Sequence, residues 1–137
     1  MRYSASRSAL GAFALTMALL GGAVPAAAAP AAVRAASVNM HTLTCYETED
    51  TSGGDEVYIQ INGQTVWSSA DSIDCDHNAP ATRPVNRLAK TGDTISLYDS
   101  DFPDADDHLG SDTIEGDRGT LVFNLDDALY TLDYGPA

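Results

Sequence analysis

The chain has 137 residues, of which 20 are Asp or Glu and 7 are Lys or Arg, and its net charge at pH 7 is −13. A protein this acidic repels the phosphate backbone of nucleic acids, so nucleic-acid binding is excluded from the expected functions. The length that follows the N-terminal segment suffices for one small domain and is too short for two.

The N-terminal segment predicts a signal peptide over residues 1–28. Arg2 and Arg7 form a basic start, residues 9–24 are apolar and uncharged, and residues 26–28 are alanines of the kind that signal peptidases accept. The alternative is a retained membrane anchor, but the apolar run is short for the ~20 residues of a span. We therefore expect a secreted, extracellular protein whose signal peptide is removed. Removal leaves 5 basic residues against all 20 acidic ones, a net charge of −15.

Beyond residue 28, the pattern predicts a flexible leader over 29–37 and a single folded domain over 38–137. Apolar residues alternate with polar ones in several short runs, which is typical of strands with one buried face. Asn62-Gly63 separates two of these runs and favours a type I′ hairpin turn. We predict strands over 38–46, 56–62, 64–68, 94–99, 120–125 and 129–134, a strand over 82–90 that carries Val85 and Leu88 on a bulged edge, and a short strand around Ile114.

Seven to eight short strands with regular turn signals, and no 3.6-residue period, predict an all-β fold, an antiparallel Greek-key β-sandwich. The two cysteines, Cys45 and Cys75, are predicted to form one disulfide, because exported proteins meet an oxidising environment. Closing the loop between Cys45 and Cys75 lowers the conformational entropy of the unfolded chain, which stabilises the fold by about 3–4 kcal/mol in the entropic description. The alternative for the cysteines is a nucleophilic or metal-bound thiol.

The densest group of carboxylates follows the strand 94–99. Asp99 and Asp101 continue the row of Ile95 and Leu97, because side chains two residues apart in a strand share a face. Three more carboxylates follow within six residues, at Asp104, Asp106 and Asp107. Carboxylates this close repel one another unless a cation or solvent relieves them, and Ca2+ takes 6–8 oxygen ligands. The stretch predicts a calcium-binding loop between two strands, with a solvated acidic loop as the alternative.

Another acidic loop, residues 49–55, also follows a strand. We call residues 49–55 the first acidic loop and residues 99–107 the second acidic loop, by their order in the chain. In a Greek-key sandwich, loops that are distant in sequence can meet at one end of the two sheets. If these two loops meet, Asp50 and Asp55 would face Asp99, Asp101 and Asp107 and complete a cage of oxygen ligands.

These residues resemble the calcium-binding C2 domains. The third loop of that family has the pattern D-x-D, five residues, D, two residues and Gly, and here Asp99, Asp101, Asp107 and Gly110 match the spacing. The stretch from Asp55 to Ile61 is similar to the end of the family's first loop, with one extra residue and without its Pro. The resemblance implies an eight-stranded sandwich that binds one to three Ca2+ ions. Its ligands would be Asp55, Asp99, Asp101 and Asp107, with either Asp50 or Glu49.

The expected function is binding and not catalysis, because none of the common hydrolase motifs is present. Phe102 lies between the carboxylates at the loop tip, where it either contacts a membrane or a partner or folds back onto the sandwich. The expected partners besides Ca2+ are anionic phospholipid or a secreted or cell-surface protein, and we expect a monomer. The alternatives are a small secreted interaction or inhibitor protein in which calcium is only structural and, in third place, a calcium-dependent hydrolase.

Overall fold

The computed structural model describes residues 35–49 and 53–137, so the predicted signal peptide, most of the leader and Asp50 lie outside the described residues. The described part of the chain forms eight strands and no helix. The strands are β1 (Ser37–Glu47), β2 (Val57–Ile61), β3 (Gln64–Ser68), β4 (Ala81–Lys90), β5 (Thr94–Asp99), β6 (Asp107–Thr113), β7 (Gly119–Phe123) and β8 (Leu129–Pro136). Consequently, no helix within these ranges is long and apolar enough to cross a bilayer.

The strands form two four-stranded antiparallel sheets. The first sheet has the order β4-β1-β8-β7, and the second has the order β3-β2-β5-β6. Three hairpins, β2–β3, β5–β6 and β7–β8, stay within a sheet, while the other four connections pass from one sheet to the other. The predicted all-β antiparallel sandwich is therefore confirmed, with eight strands. The predicted disulfide is also confirmed, since Cys45 and Cys75 are bonded with their Cα atoms 6.0 Å apart.

The core lies between the sheets and follows the predicted alternation. Val57 and Ile59 of β2, Ile95 and Leu97 of β5, and Leu43 of β1 have almost no solvent exposure. Alternation places these side chains inward because successive residues of a strand point to opposite faces. The predicted turn is also present, since Asn62 and Gly63 both have positive φ angles, 49° and 81°, as a type I′ turn requires.

The predicted bulged edge strand is present as β4, and its Leu88 side chain is 69% exposed. The register between β1 and β4 shifts, because Met40 is opposite Arg87 whereas Thr42 is opposite Pro84. Val85 is buried, whereas Leu88 lies on the outer face of the sheet, because residues three apart in a strand point to opposite sides. Local alternation could not locate this bulge, because it depends on how β4 pairs with its neighbour.

Two strand boundaries differ from the sequence-based expectations. Leu125 is 48% exposed, because β7 ends at Phe123 and the chain then turns through two residues with positive φ, Asp126 and Asp127. The strand expected around Ile114 begins earlier, at Asp107, and Ile114 follows it as a buried residue. The second acidic loop is therefore the connection of the β5–β6 hairpin.

Strand register determines which loops share an end of the sandwich. Val57 pairs with Asp99, and Asp99 pairs with Asp107, so the starts of β2 and β6 lie beside the end of β5. The Asn62-Gly63 turn lies at the other end of β2. We call the end that contains residues 48–49, 53–56 and 99–107 the acidic end. The second acidic loop and the described residues of the first acidic loop therefore lie at the acidic end.

Candidate metal centre

Asp99 is the last residue of β5 and continues the inward row of Ile95 and Leu97. Its side chain has no solvent exposure. One carboxylate oxygen, Oδ1, accepts a hydrogen bond from the backbone N–H of Ser100 at 2.8 Å. The other oxygen, Oδ2, is buried without a hydrogen-bond partner among the described residues. An unpaired buried carboxylate oxygen is energetically unfavourable unless a proton or a cation approaches it.

The electrostatic environment of Asp99 favours a nearby positive charge. Burial, together with the negative charges of Asp55 and Asp101, raises the pKa of Asp99 from 3.8 to about 7. Backbone hydrogen bonds oppose this shift but do not cancel it. A pKa raised by neighbouring carboxylates identifies a group whose ionised form would be stabilised by a nearby cation.

Asp55 is the second fully buried carboxylate, and two donors orient it. Its Oδ2 atom accepts a hydrogen bond from the Tyr130 hydroxyl at 2.7 Å and one from the Glu49 backbone N–H at 3.1 Å. Its backbone N–H and C=O bond to the C=O and N–H of Ile73, at 3.0 and 2.8 Å. The carboxylate is therefore positioned by β8, by the first acidic loop and by the segment that leads to Cys75.

Close contact with this segment requires a glycine before Asp55. Gly54 has a φ of +75°, and a Cβ atom there would lie 2.7 Å from the carbonyl oxygen of Ile73. A real Cβ atom does not come this close to a backbone oxygen, so any larger residue would displace the segment that pairs with Asp55.

Three half-buried carboxylates form an outer group at the acidic end. Each of Glu49, Asp101 and Asp107 has an oxygen atom within 4.8 Å of those of the other two. Oxygens at such separations can bind one ion, because Ca2+ binds its ligands at 2.3–2.6 Å. Glu49 and Asp101 come from the two acidic loops, so carboxylates that are remote in sequence do converge.

The remaining carboxylates of the second acidic loop do not join this group. Asp104 and Asp106 are exposed, and Asp106 accepts a hydrogen bond from the Tyr58 hydroxyl at 2.8 Å on the outer face of the second sheet. Desolvation and this bond to Asp106 raise the pKa of Tyr58 to about 12. Phe102 is 93% exposed, so the alternative in which it folds back on the sandwich is wrong.

Of the five predicted ligands, Asp101 and Asp107 lie in the outer group, and Asp55 and Asp99 are buried at the same end of the sandwich, where the charges of Asp55 and Asp101 act on Asp99. The fifth, Asp50, lies outside the described residues, while its stated alternative, Glu49, joins the outer group. Sequence analysis missed Tyr130, which reaches Asp55 from β8. One signal was available, because a tyrosine at an inward position of a strand needs a partner for its hydroxyl.

The donor set fits a hard divalent cation. Every group that converges is a carboxylate, and oxygen ligands of this kind suit Ca2+ or Mg2+ and not the soft or nitrogen-preferring transition metals. The two acidic loops and the end of β5 supply these carboxylates. Glu49, Asp55, Asp99, Asp101 and Asp107 are the residues that could hold the ion.

No family model matches the chain, and no curated protein matches it in sequence. Among solved structures, it is similar to one described as the structure of a C2 domain, with 15% identity over 72% of this chain and 96% of the other, and a TM-score of 0.45. It is also similar to a structure of two C2 domains of Extended-Synaptotagmin 2, with 22% identity over 88% of this chain and 46% of the other, and a TM-score of 0.40. In fold the described part of the chain is an eight-stranded antiparallel sandwich, and the described residues of both acidic loops lie at one end of it.

Proposed function

We propose that this C2-like sandwich is a secreted calcium-binding module that holds Ca2+ between its two acidic loops. The observation that carries the proposal is the buried Oδ2 atom of Asp99, which has no hydrogen-bond partner among the described residues and lies in a group of carboxylates. Its role is binding and not catalysis, and the predicted signal peptide, residues 1–28, directs its export.

The repulsion between carboxylates at the acidic end explains how a bound ion would stabilise the domain. Asp55 and Asp99 are both buried, and the charge of Asp55 acts on Asp99. Without a cation, ionising both carboxylates is unfavourable because a low-dielectric interior screens their repulsion poorly. A Ca2+ ion bound between the two carboxylates attracts both of them, which outweighs their mutual repulsion and draws the two loops together. Calcium therefore stabilises the domain and orders the acidic end.

Calorimetric titration of the protein with Ca2+ tests the proposal. We expect binding with a dissociation constant of about 0.1–1 mM, the range of many extracellular modules, together with a higher melting temperature. Asp99→Asn should weaken binding strongly because it removes a ligand charge. Asp117→Asn is the matched control, since Asp117 is exposed in the turn before β7 and pairs with Arg118. Equal binding by both variants, or none by the natural protein, would contradict the proposal.

The exposure of Phe102 favours a second role, calcium-dependent docking. The ring is 93% exposed at the tip of the loop that supplies Asp101 and Asp107. A cation at this site would lie near the same surface, where it would attract the phosphates of anionic phospholipid or the carboxylates of a cell-surface protein. An aromatic ring is well suited to the interface between lipid and water.

Sedimentation with phosphatidylserine vesicles separates lipid docking from simple calcium binding. We expect the protein to pellet with the vesicles in Ca2+ and to stay in solution in chelator. Phe102→Ala should reduce pelleting while leaving the calcium affinity unchanged, because Phe102 supplies no oxygen ligand. If the calcium-loaded protein never pellets, the phospholipid role is wrong, and the calcium site itself is unaffected by that result.

A further inference from the structure

The hydroxyl of Tyr130 lies at the boundary between the core and the acidic end. Tyr130 belongs to β8 of the first sheet and has no solvent exposure, so its ring packs in the core. Its hydroxyl donates a hydrogen bond of 2.7 Å to Oδ2 of Asp55, across 75 residues of sequence. Burial, together with this bond and the charge of Asp55, raises the pKa of Tyr130, so the hydroxyl keeps its proton and is a donor.

The same oxygen of Asp55 links the tyrosine to the outer group of carboxylates. Oδ2 of Asp55 also accepts the backbone N–H of Glu49 at 3.1 Å. The Glu49 carboxylate in turn lies within 4.8 Å of those of Asp101 and Asp107. A continuous set of contacts therefore runs from the Tyr130 hydroxyl through Asp55 to the backbone of the first acidic loop. Both ends of this set are fixed by elements that are distant in sequence.

The strand that carries Tyr130 is itself held firmly. Tyr130 pairs with Cys45 of β1, and Cys45 forms the disulfide with Cys75, two residues beyond Ile73. Ile73 makes the two backbone hydrogen bonds to Asp55. The Tyr130 hydroxyl and the Asp55 carboxylate are therefore both held by backbone segments that the Cys45–Cys75 disulfide joins. A donor on a rigid strand orients a carboxylate more sharply than a donor on a loop.

We propose that Tyr130 is a positioning residue of the cation site, which sets the orientation of the Asp55 carboxylate and, through it, the position of Glu49. This inference rests on the proposed calcium function and adds a residue that supplies no ligand atom. Hydrogen bonds to a metal-ligating carboxylate hold it in the geometry that binding needs, so their loss lowers metal affinity by 10–100-fold in known sites. Tyr130 thus couples the core of the first sheet to the ion.

The variant Tyr130→Phe tests the proposal, because it removes the hydroxyl and keeps the ring. We expect the calcium dissociation constant to rise about tenfold. Tyr134→Phe is the matched control, since Tyr134 is a buried tyrosine on the same strand whose hydroxyl lies against Gly119, away from the acidic end. A structural role alone would lower the stability of both variants and leave their calcium affinities equal. Equal affinities, or an equal loss in both variants, would overturn the proposal.

A measurement on the natural protein keeps the proposal testable if Tyr130→Phe does not fold. The ring signals of the tyrosines can be followed by NMR while Ca2+ is added. We expect the signals of Tyr130 to shift with calcium and those of Tyr134 to stay constant, because only Tyr130 contacts a ligand. If calcium binds and the Tyr130 signals do not move, the positioning role is wrong. If no calcium binds to the natural protein, the proposed function fails first, and the two failures are distinguished.

Discussion

At the scale of single residues, the acidic end contains carboxylates of very different character. Asp55 accepts two hydrogen bonds at one oxygen, whereas Asp99 has a buried oxygen with no hydrogen-bond partner among the described residues. Asp104, in contrast, is simply solvated. The chemistry of each carboxylate therefore depends on its surroundings and not on its membership of an acidic run.

The raised pKa of Asp99 predicts a pH-dependent stability of the metal-free protein. The pKa rises from 3.8 to about 7 on folding, so the folded protein binds more protons between these values. Stability is therefore lost as the pH rises from about 4 to about 7. Relative to Asp99→Asn, the natural protein in chelator should lose on the order of 2–3 kcal/mol of unfolding free energy between pH 5 and pH 8.

Urea denaturation of both proteins at the two pH values measures this difference. The other titrating groups are shared by the two proteins, so their contributions largely cancel in the comparison. Saturating Ca2+ should remove the pH dependence of the natural protein in this range, because the cation stabilises ionised Asp99. A difference that stays constant between pH 5 and pH 8 would show that Asp99 has an ordinary pKa.

At the scale of elements, bulges and close contacts position the strands that carry the site. Gly110 of β6 has a φ of +144° and lies where the register between β5 and β6 shifts. A Cβ atom at this position would be 3.0 Å from the Cα atom of Phe123 in β7. The Leu125 backbone N–H also bonds to the Leu109 C=O at 2.9 Å, so β6 contacts the edge of the other sheet here.

Gly110→Ala should destabilise the domain by about 2–4 kcal/mol, because the new methyl group meets backbone atoms and the residue must keep a φ that disfavours alanine. Gly116→Ala is the control, since its added methyl group would lie no closer than 3.8 Å to another heavy atom. Urea denaturation of the two variants gives the comparison. If Gly110→Ala is as stable as Gly116→Ala, the contact between β6 and β7 is looser than the structure indicates.

The disulfide joins the end of β1 to the segment that pairs with Asp55. Replacing both Cys45 and Cys75 by Ala should lower the unfolding free energy by about 3–4 kcal/mol, because the unfolded chain regains the freedom of a loop that spans a sequence separation of 30 residues. We also expect weaker calcium binding, since Ile73 then holds Asp55 less firmly. Reduction of the natural protein should reproduce both effects and leave the double variant unchanged. If all these forms bind calcium with equal affinity, the disulfide does not contribute to calcium binding.

At the scale of the whole molecule, the charge of −13 produces a repulsion that acts beyond the site. Among the described residues, Asp117 forms an ion pair with Arg118, and Glu47 lies 3.7 Å from a ring nitrogen of His77; all four side chains are more than half exposed. Exposed pairs contribute little to stability, so most of the repulsion is left to solvent and dissolved ions. The acidic surface also attracts cations towards the acidic end.

Salt should therefore stabilise the metal-free protein. Raising NaCl from 10 mM to 500 mM shortens the Debye length from about 30 Å to below 8 Å. We expect the unfolding free energy to increase by about 1 kcal/mol, which raises the melting temperature by about 4–8 °C. The calcium-loaded protein should respond less, because part of its repulsion is already neutralised. A melting temperature that falls with NaCl in chelator would contradict this account.

The fold class, most strands, the Asn62-Gly63 turn and the disulfide were predictable from the order of the amino acids. Alternation and turn chemistry are local properties, and a chain with two cysteines has only one intramolecular pairing. The row of Ile95, Leu97 and Asp99 also followed from alternation alone. These features were predictable because each depends on neighbours in the chain or on its composition.

The contacts between residues that are distant in sequence depend on how the strands pair in three dimensions. The position of the bulge in β4 follows from its pairing with β1, and the exposure of Leu125 follows from the early end of β7. The grouping of Glu49 with Asp101 and Asp107, and the bond from Tyr130 to Asp55 across 75 residues, depend on strand register. Register is a relation between strands, and a one-residue shift would turn each of these side chains to the opposite face.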